Sequence, residues 1–440
     1  MNETNYNLSD WQNEYISFEA QNAKDANTCI DNFIRACKEK RLVLWGANLK
    51  GKAFYKLFLE IGLDVDAFID RNFAEICELN GVKVHSPTQI SRLFPKNEVV
   101  IIGSVHHKNF NEIEKEYQNI APDIPLYNGS SLQYALQSSV CIIKSESGEL
   151  DLPNCAGCEK NKHLCPILRK HLISVKPSVK IRESGVKLCS IRAVVGTVCT
   201  LNCKYCADHI PYTKKEHRSF VPKEDVIADI YTLSNICEFI TVVELIGGEP
   251  LLHPDLHDII KSVQGIRNIG IVNIVTNGTV MPDDTLLDQL SNPYTVVNIS
   301  DYSVNLKKEQ RNQINMTEKA LLDANIMVYR AKGHSWLSSL SFDEVESDVV
   351  MLTKRFNKCC FADAQRLYRG KLFRCVHQYA GYISGERCKL DSNNIVMIHK
   401  DSETLKNEIE RFIELPYIDT CRYCEMPFDS IAVSAGVQIS

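Results

Sequence analysis

The chain of 440 residues is 44% hydrophobic and 24% charged, with 20 Gly and 15 Pro, the balance of a globular protein with room for two or three cores, which excludes a disordered or fibrous chain. A formal net charge of −5 without any block of Lys or Arg argues against nucleic acid or an anionic membrane surface as partners. No basic-then-apolar leader opens the chain and runs such as residues 99–102 are too short to span a bilayer, so the expected location is the cytoplasm, where 18 Cys point to metal ligation or catalysis rather than disulfides.

In chain order, residues 9–40 read as helix, with Ile30, Phe33, Ile34 and Cys37 on one face. A strand over 42–45 ends at Gly46, a helix covers 52–63, and a second strand over 65–69 ends at Asp70. Ser86-Pro87 reads as a helix start, and 99–102 as a third strand. Strands alternating with helices imply a parallel, doubly wound sheet. The loop from Gly46 to Ala53 sits between strand and helix, where phosphates meet backbone N–H groups. It approaches two phosphate-binding patterns and completes neither. Ala53 stands where a Ser or Thr ligates magnesium, and Asn48 replaces the second glycine of a dinucleotide fingerprint, although Asp70 lies where an acidic residue meets a ribose.

Periodicity is lost over 137–154, which places a domain boundary near residue 150. Cys155, Cys158 and Cys165 follow, with His163 among them. Zinc held by three Cys and one His, a further cluster with a remote ligand such as Cys189, and unligated thiols all stay open as readings, so a third metal site is one expectation. Strands over 189–195, 240–246, 269–275, 296–299 and 326–329 alternate with helical stretches, which suits a partial (β/α) barrel. Beyond about residue 335 the pattern is irregular and Cys-rich. Cys29, Cys37, Cys77, Cys141 and Cys237 lie in apolar surroundings and are expected to pack as small hydrophobes.

Cys199-Thr-Leu-Asn-Cys203-Lys-Tyr-Cys206 places three thiols in one short loop directly after a strand. A 4Fe-4S cubane is closed by four thiolates, so three leave one iron open to bind a ligand and act on it. This loop resembles the hallmark of the radical S-adenosylmethionine superfamily. Gly247-Gly248-Glu249-Pro250 is similar to the family's GGEP, which binds the amino group of the cofactor's methionine part. Tyr205 matches the aromatic beside the adenine, and Thr276-Asn277 and Ser300-Asp301 match polar contacts to ribose and carboxylate. The resemblance implies reductive cleavage of S-adenosylmethionine at the open iron, with reduced flavodoxin or ferredoxin as electron donor. The product is a 5'-deoxyadenosyl radical that takes hydrogen from a substrate.

Cys360-x9-Gly370-x4-Cys375 followed by Cys421-x2-Cys424 resembles the auxiliary-cluster modules called SPASM and twitch, and implies a second 4Fe-4S cluster on Cys360, Cys375, Cys421 and Cys424. Cys359 is an alternative to its neighbour Cys360, Cys388 is an extra candidate, and a zinc ribbon is the other reading. The expected organisation is a helical segment 1–40, a Rossmann-like domain 41–137, a linker 138–187, a radical core 188–335 and an auxiliary module 336–440. The Rossmann-like stretch resembles domains of sugar-modifying and surface-polysaccharide enzymes. The expected reaction is dehydrogenation of a hydroxylated carbon of a small sugar, cyclitol or nucleotide-linked sugar, the auxiliary cluster taking the electron. Peptide or protein maturation is the alternative, and a scaffold without turnover the third reading. Arg330, at the end of the last clear strand, is the candidate proton acceptor. Because Arg stays protonated, a contact to the cofactor's carboxylate or a substrate anchor is its other reading.

Overall fold

The computed structural model of the chain describes residues 34–439 apart from 36, 39, 105–106, 125, 130–136, 138–139, 143, 159–164, 177–178, 333–334, 339–343, 363 and 386–393. The helix expected over 9–40 lies almost wholly outside the described residues, as do Cys29, His163 and Cys388. The chain divides into two compact units, Met1–Leu150 and Asp151–Ser440.

The first unit is a doubly wound sheet. Strands β1 (Arg41–Trp45), β2 (Ala67–Ile69), β3 (Glu78–Leu79), β4 (Val82–His85), β5 (Val99–Gly103) and β6 (Leu126–Asn128) lie in the order β3-β4-β2-β1-β5-β6. Only the β3–β4 edge pair is antiparallel. Val43, Leu44, Ile101 and Ile102 are fully buried, as strands covered on both faces by helices such as α1 (Leu49–Glu60) and α2 (His107–Ile120) require. Asp70, expected to face a ribose, accepts the Ala47 N–H at 2.8 Å and the Asn72 N–H at 2.9 Å. Each carboxylate oxygen thus accepts a backbone N–H, and together they tie the loop after β1 to the loop after β2. Cys77, expected to pack inside, is exposed.

The second unit opens with α3 (Leu152–Gly157) and α4 (Pro166–Val175), then builds a partial (β/α) barrel. Its parallel strands are β7 (Ser190–Gly196), β8 (Ile240–Gly247), β9 (Ile269–Thr276), β10 (Thr295–Asp301) and β11 (Met327–Lys332). Helices α5 (Lys223–Ile236), α6 (Leu256–Gln264), α7 (Asp284–Leu290) and α8 (Lys308–Asp323) connect them. After β12 (Ser335–Leu337) and α9 (Val349–Asn357), strand β13 (Arg366–Tyr368) pairs parallel with β7. β14 (Lys371–Phe373) and β15 (Ile395–Met397) continue the sheet, giving the order β11-β10-β9-β8-β7-β13-β14-β15. Helices α10 (Val376–Ser384) and α11 (Ser402–Ile413) and a short strand β16 (Ala432–Ser434), antiparallel to β12, complete it.

Side chains alternate across these strands, which sorts them into two environments. Ile191, Val243, Leu245, Ile274, Val297 and Ile299 pack with helix residues such as Ile230, Ile260 and Ile314 in one core. On the opposite face, in register, stand Arg192, Glu244 and Asn273, then Asn298 and Tyr329. The barrel interior therefore carries a polar belt. Arg192 and Glu244 are ion-paired at 2.7 Å, Asn273 donates to Glu244 at 3.1 Å, and the buried Oδ1 atoms of Asn273 and Asn298 have no hydrogen-bond partner among the described residues.

Candidate active site

The loop leaving β7 brings Cys199, Cys203 and Cys206 together, and each sulfur meets donors. Cys199 accepts the Leu201 N–H at 3.4 Å and the Asn277 side-chain amide at 3.6 Å; Cys203 accepts the Gln438 amide at 3.2 Å. Cys206 accepts backbone N–H groups of Ile210 and Asp208. Burial, with the neighbouring charges adding to it, pushes Cys199 up to about 11 and Cys206 up to about 12. Thiols buried beside one another with N–H groups aimed at them carry thiolate charge once cations stand among them, which is the chemistry of a cluster ligand set.

Gly247 and Gly248 are glycines because the end of β8 presses on the thiol loop. A Cβ on Gly247, at φ +148°, would stand 2.2 Å from the Gly196 carbonyl oxygen, and one on Gly248 2.2 Å from that of Val198. Their close approach is to the chain itself rather than to a ligand. Glu249 is 2% exposed and both its oxygens are engaged. Oε1 accepts the Leu251 N–H at 3.0 Å and the Thr276 hydroxyl at 2.7 Å, and Oε2 accepts the Asn277 N–H at 2.8 Å. Burial pushes its carboxyl up while these donors pull it back. Glu249 thus joins the turn at Pro250 to the Thr276-Asn277 turn, and Asn277 in turn reaches Cys199. Tyr205 is half-buried, with the Lys204 ammonium 5.1 Å over its ring.

Ser300 and Asp301 point to opposite faces. Ser300 hydrogen-bonds Tyr302, a half-buried ring near Cys203 and Cys206 that stacks edge-on with Trp336 at 4.9 Å. Asp301 accepts the Ser303 N–H at 2.9 Å and pairs with Arg330 at 2.9 Å. Arg330 also pairs with Glu318 and donates to Asn315 at 3.0 Å, both on α8. It stands opposite Ile299, which packs toward Ile314 of the same helix. Arg330 is therefore on the helix side of the sheet, and its charge is neutralised there. Burial opposes its charge, but Glu318 and Asp301 hold its pKa above the ordinary value, so neither the base nor the anchor expected of it fits this position.

The C-terminal thiols enclose a separate cavity. It is lined by Cys359, Cys375, Cys421, Cys424 and His377. Cys360 is exposed and does not line it; the turn after α9 directs Cys359 inward, where its sulfur accepts the Phe361 N–H at 3.4 Å. Gly370 lies in the β13–β14 turn at φ +72°, a backbone conformation that favours glycine. Cys375 caps α10, accepting the Gln378 N–H at 3.4 Å. Burial, then neighbouring thiols, pushes Cys359 and Cys421 up to about 12, so the donor set fits a cationic cluster of the kind four thiolates close. The hairpin carrying Cys375 is tied to the first loop by the buried pair Arg366–Asp208 at 2.8 Å, Asp208 lying two residues past Cys206. Cys155, Cys158 and Cys165 flank residues 159–164, outside the described part, and are half-buried. Cys189 lies near Cys237. Among the described residues no three His, Cys, Asp or Glu side chains are spaced around a single metal ion.

Residues 193–324, most of the core of the second unit, match the Radical SAM superfamily. That family works with a 4Fe-4S cluster and S-adenosylmethionine. The chain is 27% identical to the GTP 3',8-cyclase 1 of Mycobacterium tuberculosis over 26% of its own length and 32% of that protein's. It is 33% identical to the molybdenum cofactor biosynthesis protein 1 of Mus musculus over 18% of its length and 12% of that protein's. The chain thus spans about a third or less of these curated relatives. Among solved structures, native anSMEcpe with bound AdoMet aligns at a TM-score of 0.36 and 12% identity, over 52% of this chain and 84% of that one. Among the described residues, no helix is long and apolar enough to cross a membrane.

Proposed function

We propose that the chain is a radical S-adenosylmethionine oxidoreductase that dehydrogenates a hydroxylated carbon of a sugar-like small molecule, with a second 4Fe-4S cluster as electron acceptor. The observation that carries this reading is the cavity lined by Cys359, Cys375, Cys421 and Cys424, in a module strand-paired to β7 and ion-paired to the Cys199 loop. Cys199, Cys203 and Cys206 hold the first cluster and the other four thiols the second, with Cys359 taking the place of Cys360.

The chemistry these groups supply is a one-electron cleavage of S-adenosylmethionine to methionine and a 5'-deoxyadenosyl radical, and one-electron oxidation of the substrate radical that follows hydrogen abstraction. The carbon H–C–OH loses its hydrogen atom to the deoxyadenosyl carbon, then its hydroxyl proton to solvent, and ends as C=O. One electron enters from a reduced flavodoxin or ferredoxin and one leaves through the second cluster. The residues of the chain position the partners. The strand ends at Gly248, Thr276 and Ser300 would hold the cofactor, Tyr205 would take its adenine, and Asp301 and Arg330 support the sheet from behind. The polar belt of Arg192, Glu244, Asn273 and Asn298 supports a substrate rich in hydroxyls, since two buried carbonyl oxygens there need donors.

The test is anaerobic incubation of the reconstituted protein with S-adenosylmethionine, a reductant, and panels of sugars, cyclitols, nucleotide sugars, peptides and GTP. The expected result is 5'-deoxyadenosine together with a carbohydrate product that has lost two hydrogens. Turnover of peptides or GTP alone would contradict the substrate class.

A further inference from the structure

Besides its thiols, the C-terminal cavity is lined by the polar side chains Arg355, Thr420 and His377, which the chemistry above leaves unused. His377, two positions past Cys375 on α10, is 1% exposed. Its ring stands edge-on to Phe361 with centroids 5.0 Å apart. Nδ1 lies 3.3 Å from the Cys424 sulfur, while the buried Nε2 has no hydrogen-bond partner among the described residues.

A neutral imidazole carries one N–H and one lone pair. A buried N–H without an acceptor costs more than a lone pair left facing apolar atoms, so the proton belongs on Nδ1, where a sulfur stands within reach. Backbone N–H groups also meet these sulfurs, among them Phe361 to Cys359, Gln378 to Cys375 and Met426 to Cys424. His377 therefore adds a side-chain donor to Cys424, from a different element of the module.

We propose that His377 is a positioning residue that tunes the second cluster: its Nδ1–H donates to the Cys424 thiolate, drawing charge from the sulfur and making the cluster an easier electron acceptor. A hydrogen bond to a ligand sulfur stabilises the reduced, more negative state more than the oxidised one, which raises the reduction potential. The inference rests on the reading that Cys359, Cys375, Cys421 and Cys424 hold a cluster. It gives that cluster the direction of electron flow that alcohol oxidation requires.

The experiment uses full-length protein with Cys199, Cys203 and Cys206 replaced by Ala, reconstituted anaerobically so that only the second cluster contributes signal. Binding of about four iron by this background tests the cluster reading itself, and its absence would remove that reading. Given the cluster, His377→Phe is expected to keep the iron and lower the midpoint potential in an EPR-monitored titration, with His377→Asn, which retains an N–H donor, recovering part of the shift. An unchanged potential in His377→Phe overturns the proposal, and so does loss of the iron, which would make His377 a ligand. Without any substitution at residue 377, ENDOR of the same background labelled with 15N-histidine should show one weak nitrogen coupling. No coupling, or one strong enough for direct ligation, overturns it.

Discussion

Gln438 donates its side-chain amide to the Cys203 sulfur across 3.2 Å, and its own carbonyl oxygen accepts the Asn202 N–H at 2.7 Å. Backbone bonds from Lys204 to Val437 at 2.8 Å and from Ile439 to Asn202 at 2.7 Å lay this segment along the thiol loop. A hydrogen bond to a charged group contributes about 1.5 to 3 kcal/mol, so its loss lets the segment lift roughly ten to a hundred times more often. Gln438→Ala should therefore keep its iron under anaerobic conditions but lose the first cluster to air faster by about that factor. Equal bleaching rates would mean that the contact shields nothing.

Cys359 and Cys360 are adjacent, yet only Cys359 lines the cavity with Cys375, Cys421 and Cys424. Two cubanes correspond to about eight iron per chain. Cys359→Ala should fall to about four, whereas Cys360→Ala should remain near eight. The reverse pattern would show that the turn after α9 presents the other sulfur.

Glu249 accepts three donors from the chain, so an isosteric change is informative. In Glu249→Gln an amide N–H must face the Asn277 N–H or the donors at Leu251 and Thr276, a mismatch of about 2 kcal/mol. Because Asn277 reaches Cys199, the variant should lose affinity for S-adenosylmethionine by at least about tenfold and lose iron from the first cluster as well. Full iron content with weakened binding would instead mean that the carboxylate meets the cofactor's ammonium, the role that the GGEP resemblance implies.

Arg330 compensates Asp301, which is 4% exposed, and Glu318. Arg330→Met leaves both carboxylates uncompensated and should destabilise the fold by about 3 kcal/mol in anaerobic denaturant titration, the low end for a buried pair because Glu318 is partly exposed. Although burial opposes its charge, the Ser303 N–H and Arg330 hold the Asp301 carboxyl below the usual carboxylate range. A carboxyl with a depressed folded value contributes stability above its unfolded value and loses it as pH falls through the folded one. The gap between wild type and variant should therefore narrow in acid. A gap constant down to strongly acid pH, or a variant of full stability that no longer cleaves S-adenosylmethionine, would contradict this assignment.

The Cys199 loop is legible in sequence because its chemistry is local: three thiols and their spacing lie in one turn. The central strands β1, β2, β5 and β7 to β11 are legible for a similar reason, as short apolar runs between polar loops, whereas β3, β4, β6 and β12 to β16 are too short or too polar to carry such a run. The orientation of strand ends needs one more step. Ser300 and Asp301 are consecutive on a strand, so they face opposite sides, and Asp301 shares the side of the buried Ile299; that parity already separates Arg330 from the ligand. The choice between Cys359 and Cys360 is not available from spacing, since both satisfy the interval to Gly370, and a turn decides it. Gln438, His377 and the Arg366–Asp208 pair carry no periodic signal, because tertiary packing brings them to their sulfurs and loops from distant segments. A His and a Gln inside the otherwise apolar helix α10 were the one available hint.

The assignment of Cys199, Cys203 and Cys206 to the cleaving cluster is tested most directly by product analysis. Anaerobically reconstituted wild type and the variant with all three replaced by Ala are incubated with S-adenosylmethionine and reductant, and 5'-deoxyadenosine is quantified by mass spectrometry. Wild type should form it, and the variant, retaining about four iron at the second site, should form none. A variant that still produces 5'-deoxyadenosine at a rate near that of wild type would contradict the assignment.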